Sequence, residues 1–236
     1  MEITRREVQK VLNQKITQLN DIIADIDGIL TKMETDFFRV SIFGSARLRP
    51  GSEQYQEVYD LAYQLSMRGV DIVTGGGPGL MEAASKGAQA GSKKTRSIGL
   101  HIELPFEVDP NRHLDVKRQH KRFSSRLDEF MRISHAVVVT PGGIGTLLEL
   151  FYTWQLIQVK HIRKRPILML GQGDMWSEFL QWIEKWPLAL ELLSRKDLDQ
   201  LILCRSIDEV IDHLGPEIKA FSSDKASLKS RGQNKK

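Results

Sequence analysis

Cysteine is the residue that this sequence most nearly lacks, since Cys204 is the only one among 236 residues. A single cysteine excludes an intrachain disulfide framework and any cysteine-rich zinc site. Cys204 ends an apolar run that begins at Leu201, where a free cysteine is typically a small buried core residue. A chain of this length can bury enough apolar surface to fold without disulfides or metal.

Metal-binding spacing is also missing. The six histidines lie at positions 101, 113, 120, 135, 161 and 213. No two of them have the His-Glu-x-x-His spacing that places two imidazoles on one helical face. We therefore expect neither a metal site nor another cofactor.

Long apolar runs are absent, because no stretch approaches the roughly 20 residues that a membrane helix needs. The first residues, Met1 to Arg6, are polar and lack the apolar segment of a secretory signal peptide. From the sequence we expect a cytoplasmic protein without a membrane partner.

Excess positive charge is absent from most of the chain. The net charge is +4, and residues 222–236 carry five basic side chains against the single acidic Asp224. This serine- and lysine-rich end has the composition of a solvated, disordered segment. We predict a disordered basic tail over residues 221–236 and expect no nucleic-acid partner.

At the other end, residues 3–33 have apolar side chains at three- and four-residue spacing. The stripe comprises Val8, Val11, Leu12, Ile16, Leu19, Ile22, Ile23 and Ile26. Such spacing predicts an amphipathic helix within an N-terminal extension, residues 1–37. The stripe could pack on the main domain or on a second subunit, and the sequence does not separate the two.

From residue 38 onward, short apolar strands alternate with helical segments. The predicted strands are 39–43, 70–73, 97–102, 136–139, 166–170 and 201–203. Alternation of this kind implies parallel βαβ units, and β-branched strands suit a sheet covered on both faces. We predict an α/β protein with a Rossmann-like, doubly wound parallel sheet in three layers over residues 38–220, plus the extra N-terminal helix.

Two of the strand ends are followed by small residues that allow a ligand to approach the backbone. Gly44 and Ser45 follow the first strand, although a plain tight turn would use the same residues. Gly75, Gly76, Gly77 and Gly79 follow the second strand, before a helix that contains Met81. Exposed N–H groups at a helix N-terminus favour phosphate, but glycines also permit close helix–sheet packing.

A third strand end has the sequence Pro141-Gly142-Gly143-Ile144-Gly145-Thr146, and Glu149 follows it. We expect Thr146 to cap the next helix and to offer its hydroxyl group to a phosphate oxygen. Glu149 would then lie one helical turn from an anion site, or would complete a capping box with Thr146.

The loop from Gly75 to Gly79 has neither the Gly-x-Gly-x-x-Gly pattern of a dinucleotide fold nor the Gly-Lys-Ser/Thr of a P-loop. Ligands of open parallel sheets bind beyond the carboxyl ends of the strands. Two glycine loops at that edge predict a crevice for a mononucleotide.

These residues resemble a known family. The segments 74–83 and 141–149, with Phe43 to Arg47 and Ile102 to Glu107, are similar to the motifs of the LOG (Lonely guy) family, whose members were formerly labelled possible lysine decarboxylases. The similarity spans residues 38–185. It implies hydrolysis of the N-glycosidic bond of a nucleoside 5′-monophosphate, of the AMP or cytokinin riboside type, to free base and ribose 5-phosphate.

The resemblance also implies residue roles. Arg126 and Glu149 correspond to the family's catalytic pair, and the two glycine loops correspond to its substrate-binding motifs. Three positions depart from the family pattern: Leu127 stands in place of a lysine, Ile144 in place of an aromatic residue, and Gln155 in place of a threonine. Family members commonly dimerise through the helix after the third loop, so the resemblance implies a homodimer.

Two other functions compete with hydrolysis. The first is a non-catalytic carrier of a nucleotide or of the molybdenum cofactor on the same fold. The second is a pyridoxal phosphate-dependent decarboxylase, which needs a lysine in the pocket to form a Schiff base. No lysine adjoins either loop, since Lys86 lies farther along a helix and Lys93-Lys94 is typical of an exposed turn.

Overall fold

The computed structural model describes residues 9–16, 18–19, 36–103, 109–171 and 173–233, with side chains as far as residue 225. The chain divides into two compact units, Met1–Asp36 and Phe37–Lys236. In the first unit residues 9–16 and 18–19 are helical. The rest of the predicted N-terminal helix lies outside the described residues.

The second unit alternates strands and helices. Its strands are β1 (Phe38–Phe43), β2 (Val70–Thr74), β3 (Ser97–Ile102), β4 (Val116–His120), β5 (Ala136–Val139), β6 (Ile167–Leu170) and β7 (Leu201–Cys204). Its helices are α1 (Glu53–Met67), α2 (Leu80–Gly91), α3 (Phe123–Ile133), α4 (Ile144–Gln158), α5 (Met175–Ile183), α6 (Arg195–Leu198) and α7 (Ile207–Gln233). A π-helical turn, Glu184–Leu188, continues α5.

The seven strands form one sheet in the order β4-β3-β2-β1-β5-β6-β7, and every pairing is parallel. Strands β1 to β4 are added one after another towards one edge of the sheet, and β5 to β7 are added on the other side of β1. The strand order therefore reverses between β1 and β5, which pair in register from Val40 with Ala136 to Phe43 with Val139. A reversal of this kind opens a crevice beyond the carboxyl ends of the two strands.

Helices cover both faces of this sheet and bury its central strands on both sides. On one face Ile42, Ile72 and Val138 pack with side chains from α1, α2 and α7. On the other face Phe43, Val73 and Val139 pack with side chains from α3, α4 and α5. The predicted three-layer, Rossmann-like parallel fold is confirmed.

Two details differ from the sequence prediction. Strand β4 was not predicted, because Val116-Lys117-Arg118-Gln119-His120 is polar and lies at the sheet edge, where its residues are only partly buried or exposed. Residues 221–233 are helical, contrary to the disorder expected there. The ring of Phe221 contacts the rings of Phe38 and His135, which anchors α7 beyond the predicted end of the domain. Residues 234–236 lie outside the described part.

Within the described residues, none of the helices combines the length and apolar character needed to cross a membrane.

Helices α1 and α2 pack closely because α2 has glycine at the contact. A Cβ atom on Gly87 would overlap the backbone oxygen of Tyr59, and one on Gly91 would overlap that of Tyr63. We expect Gly87→Ala to lower the free energy of unfolding by about 1–3 kcal/mol, despite the better helix propensity of alanine, because backbone must move. Urea unfolding would measure this free energy. Lys86→Ala, at an exposed position of the same helix, should change the free energy of unfolding by under about 0.5 kcal/mol. A Gly87→Ala protein as stable as the wild type would contradict the close packing of the two helices.

Candidate active site

Three loops meet at the carboxyl ends of β1, β2 and β5. The Ser45 N–H donates to the Pro141 carbonyl at 3.1 Å, and the Leu80 N–H donates to the Ser45 carbonyl at 2.9 Å. Ser45 thus joins the loop after β1 to the loop after β5 and to the first residue of α2. The three sequence-predicted loops form one hydrogen-bonded edge at the reversal in strand order.

Some of the predicted glycines serve this packing. A Cβ atom on Gly44 would overlap the Thr140 hydroxyl group, and one on Gly79 would overlap the backbone of Ser45 and Ala46. Gly79 also has a φ of +70°, a left-handed conformation that favours glycine. Gly142 has no room for a Cβ because Thr146 lies against it. Gly44 and Gly79 therefore let the loops approach one another, whereas Gly142 makes room for the Thr146 side chain within its own segment.

Other glycines border open space or the predicted catalytic residues. A Cβ atom on Gly143 or Gly145 would meet nothing within 4 Å. A Cβ atom on Gly75 would lie 3.6 Å from Nη1 of Arg126 and against the sulfur of Met81, whose methyl group also packs on Gly77. Gly76 has a φ of +75°, so the turn after β2 depends on it.

Helix α4 begins earlier than predicted, which corrects the role given to Thr146. Its N-cap is Gly143, and no side chain caps it. Thr146 is the third helical residue and buried, so it neither caps the helix nor forms a capping box with Glu149. Ile144 is the first helical residue and is 89% exposed. The first-turn N–H groups of α4 therefore point beyond the helix end, where an anion is favoured.

The side chains of Arg126 and Glu149 contact each other beneath the surface at this edge of the sheet. Nη2 of Arg126 donates to Oε1 of Glu149 at 3.1 Å. Arg126 comes from the first turns of α3 and Glu149 from the second turn of α4, and both side chains are about nine-tenths buried. The two residues that the family pattern implies for catalysis, 23 positions apart, are brought into direct contact.

Burial changes the proton affinity of both groups. Removal from water raises the pKa of Glu149 to about 7, although the positive charge of Arg126 acts in the opposite direction. Burial likewise lowers the pKa of Arg126 from its usual value, and Glu149 opposes that change. A carboxyl group with a pKa near neutrality can exchange protons with substrate or water at working pH, as catalytic acids and bases do.

The guanidinium group of Arg126 is held by more than its ion pair. It lies 5.5 Å from the ring centre of Phe123 and 5.9 Å from that of Phe130, within the range of cation–π attraction. Its Nε is buried and has no hydrogen-bond partner in the described part of the chain. A buried, unpaired donor of this kind is unusual and fits a group that a ligand completes.

The departures from the family pattern take ordinary structural positions. Leu127 is buried on α3 with 4% exposure, so an apolar side chain replaces the cation that the family pattern has there. Gln155 is exposed on α4, where its amide donates to Gln158 at 3.2 Å. A buried hydroxyl group does occur nearby on α4, because Thr153 donates to the backbone oxygen of Glu149 at 2.7 Å.

One residue that contacts the glycine loop at this edge was not identified from the sequence. Asn111 is buried, and its side-chain amide donates to the carbonyl groups of Gly76 at 3.2 Å and Gly77 at 3.0 Å. Asn111 lies in the connection after β3, far along the chain from the glycines. The dipeptide Pro110-Asn111 is typical of an ordinary turn, so no local signal distinguished it.

Fold and site together define a class: a Rossmann-like α/β protein with a glycine-lined crevice at the reversal in strand order and a buried arginine–glutamate pair beside it. The sequence profile of the family described as "Possible lysine decarboxylase" matches residues 81–214, more than half of the chain. The chain belongs to this family, which is the LOG family.

Among curated proteins, residues of this chain are 38% identical over 131 positions to the "Pyrimidine/purine nucleotide 5′-monophosphate nucleosidase" of Escherichia coli K12. That alignment covers 49% of this chain and 27% of the relative, so the chain spans only about a quarter of that protein. The "Cytokinin riboside 5′-monophosphate phosphoribohydrolase LOG4" of Arabidopsis thaliana is 30% identical over 159 residues, covering 66% of this chain and 72% of the relative.

Among solved structures, the molybdenum cofactor binding protein from Rippkaea orientalis has a similar fold. It superposes with a TM-score of 0.58 at 18% sequence identity, covering 78% of this chain and 99% of that one. At this identity the likeness shows a shared fold alone.

Proposed function

We propose that this protein hydrolyses the N-glycosidic bond of a nucleoside 5′-monophosphate, of the AMP or cytokinin riboside type, and releases free base and ribose 5-phosphate. The buried Arg126–Glu149 pair beside the glycine loops is the observation that carries this proposal. The names of the Escherichia coli and Arabidopsis relatives, both of which act on nucleoside 5′-monophosphates, support the same reaction class.

The chemistry of the bond explains why such a pair is useful. Cleavage of an N-glycosidic bond passes through an oxocarbenium-like sugar, whose positive charge a nearby carboxylate stabilises. In the proposal the Glu149 carboxylate stabilises this charge and accepts a proton from the attacking water. Arg126 orients Glu149 and stabilises negative charge on the substrate. The balanced result is transfer of water across the bond: hydroxyl to the sugar carbon and a proton to the base.

The loops have a positioning role in this proposal. Gly143 at the N-cap of α4 and Gly145 and Thr146 in its first turn hold the phosphate group, since this helix end is open and electropositive. The loop from Gly75 to Gly79, with Gly44 and Ser45, forms the opposite wall. Exposed Ile144 takes the place of an aromatic residue beside the base.

A panel of nucleoside 5′-monophosphates tests the function directly. Incubation with the protein should release free base from at least one member, measured by chromatography, while the matching nucleosides without phosphate should react far more slowly. Tight binding of nucleotides with no release from any of them would contradict the hydrolase. That result would support a carrier of a nucleotide or cofactor, which the fold shared with the molybdenum cofactor binding protein makes the second candidate.

The pH dependence of hydrolysis should report Glu149. Its pKa is about 7, and the proposed role needs the ionised form. We therefore expect kcat/KM to rise with pH up to about 7 and to level off above it. A rate that instead rises as the pH falls through 7 would contradict the carboxylate role and indicate that Glu149 acts as an acid.

We further propose that the active form is a homodimer. Helix α4 presents Ile144, Leu148 and Phe151 to solvent, with exposures of 89%, 42% and 41% in the single chain. Apolar groups clustered on one helix beside a site are typical of a subunit contact. Light scattering should give twice the mass of the chain, and Phe151→Glu should shift it towards the monomer, whereas Glu178→Lys at an exposed position on α5 should not. A monomeric wild-type protein at micromolar concentration would contradict this.

A further inference from the structure

Asn111 contacts the loop after β2 more extensively than an ordinary turn residue would. Its backbone N–H donates to the Gly76 carbonyl at 2.8 Å, and its side-chain amide donates to the Gly76 and Gly77 carbonyls. The amide also lies 3.4 Å from the hydroxyl group of Ser85 on α2. Its own oxygen accepts from the His113 N–H at 3.1 Å, so the side chain has one fixed orientation.

These bonds determine which way a neighbouring donor faces. A trans peptide bond directs its carbonyl and its N–H to opposite sides. Since the Gly76 carbonyl faces Asn111, the Gly77 N–H of the same peptide unit faces away from Asn111. Gly77 is buried, and its N–H has no hydrogen-bond partner among the described residues.

A buried backbone N–H without a partner is rare, because it loses its hydrogen bond to water and gains nothing in return. Gly75, two residues earlier, lies close to Nη1 of Arg126, whose Nε is also buried without a hydrogen-bond partner among the described residues. The loop after β2 and helix α3 thus each carry an unpaired donor at this edge, and the two elements approach each other where Gly75 faces Arg126.

We propose that Asn111 is a positioning residue that holds the Gly77 N–H as a donor to the ribose 5-phosphate moiety of the substrate. This role rests on the proposed function, and it adds a residue to that site. Proline at position 78 has no N–H, so Gly77 carries the last backbone donor before Gly79. The Gly77 N–H gains a hydrogen-bond acceptor only when the ligand binds, and Asn111 holds the loop in place before that.

Binding of ribose 5-phosphate, measured by calorimetry, tests the proposal without depending on turnover. Asn111→Asp keeps the size and the acceptor for His113 but replaces the donor with an oxygen that repels the two carbonyl groups. Asn111→Ala removes the side-chain amide donor without adding charge. Both variants should weaken ribose 5-phosphate binding by about tenfold or more, in line with the loss of a hydrogen bond to an anionic ligand. Ser85→Ala, which leaves both glycine carbonyls paired to Asn111, should bind like the wild type.

A structural role alone would change thermal stability and leave the affinity of the folded protein unchanged. The two Asn111 variants should differ in melting temperature yet share the same loss of affinity and the same rise in KM for the nucleotide. Folded variants with wild-type affinity would overturn the proposal, as would a wild-type protein that does not bind ribose 5-phosphate. Binding that depends on Asn111, without base release by the wild type, would contradict only the proposed hydrolysis.

Discussion

Glu149→Gln should reduce kcat for base release by about a thousandfold or more, while nucleotide binding stays within a few-fold of the wild type. Glutamine has the shape of glutamate, and its amide oxygen can still accept the hydrogen bond from Arg126 that the carboxylate accepts at 3.1 Å. It cannot ionise, so it neither stabilises a developing sugar cation nor accepts a proton from water. Initial rates by chromatography and affinity by calorimetry separate the two effects.

The matched control is Glu178→Gln, the same change at an exposed position on α5. It should leave kcat unchanged, because it lies outside the crevice and makes no buried ion pair. A folded Glu149→Gln protein that retains most of its kcat would remove Glu149 from the proposed mechanism. Loss of binding together with activity would indicate instead that Glu149 holds the substrate.

Arg126→Met should lower kcat/KM by about a hundred- to a thousandfold. Methionine retains much of the apolar packing against Phe123 and Phe130 but removes the cation. The positive charge of Arg126 lowers the pKa of Glu149 against the effect of burial. Its loss should therefore raise that pKa above about 7, and the acid limb of any remaining activity should move to higher pH.

Two further variants sharpen this prediction. Arg126→Lys keeps the charge but loses the planar guanidinium group, so its loss of activity should be smaller and its acid limb should stay closer to the wild type. Arg163→Met, at an exposed position before β6, should behave like the wild type. An Arg126→Met protein whose acid limb does not move would contradict the electrostatic coupling of the pair.

The parts of the molecule that were predicted correctly are those with strong local signals. Mostly apolar runs with glycine soon after them located β1, β2, β5 and β6, because a strand covered on both faces is rich in apolar residues. Arg39, Ser41 and Asp71 are buried polar exceptions within β1 and β2. The polar edge strand β4 escaped prediction, since its partial exposure leaves no apolar pattern. The start of α4 was predicted too late, because Gly145 is a poor helix residue and the helix is stabilised by its buried face instead.

The sequence by itself determined that this protein is a parallel α/β sheet with glycine loops at the strand ends, and, through its motifs, the family to which it belongs. Those features are local, since glycine, proline and apolar periodicity act within a few residues. Only the tertiary structure decided that Arg126 and Glu149 touch, that their burial brings the Glu149 pKa to about 7, and that Asn111 pairs with glycines 35 and 34 residues away. Contacts and desolvation depend on which helices the sheet brings together, and no single stretch of sequence carries that information.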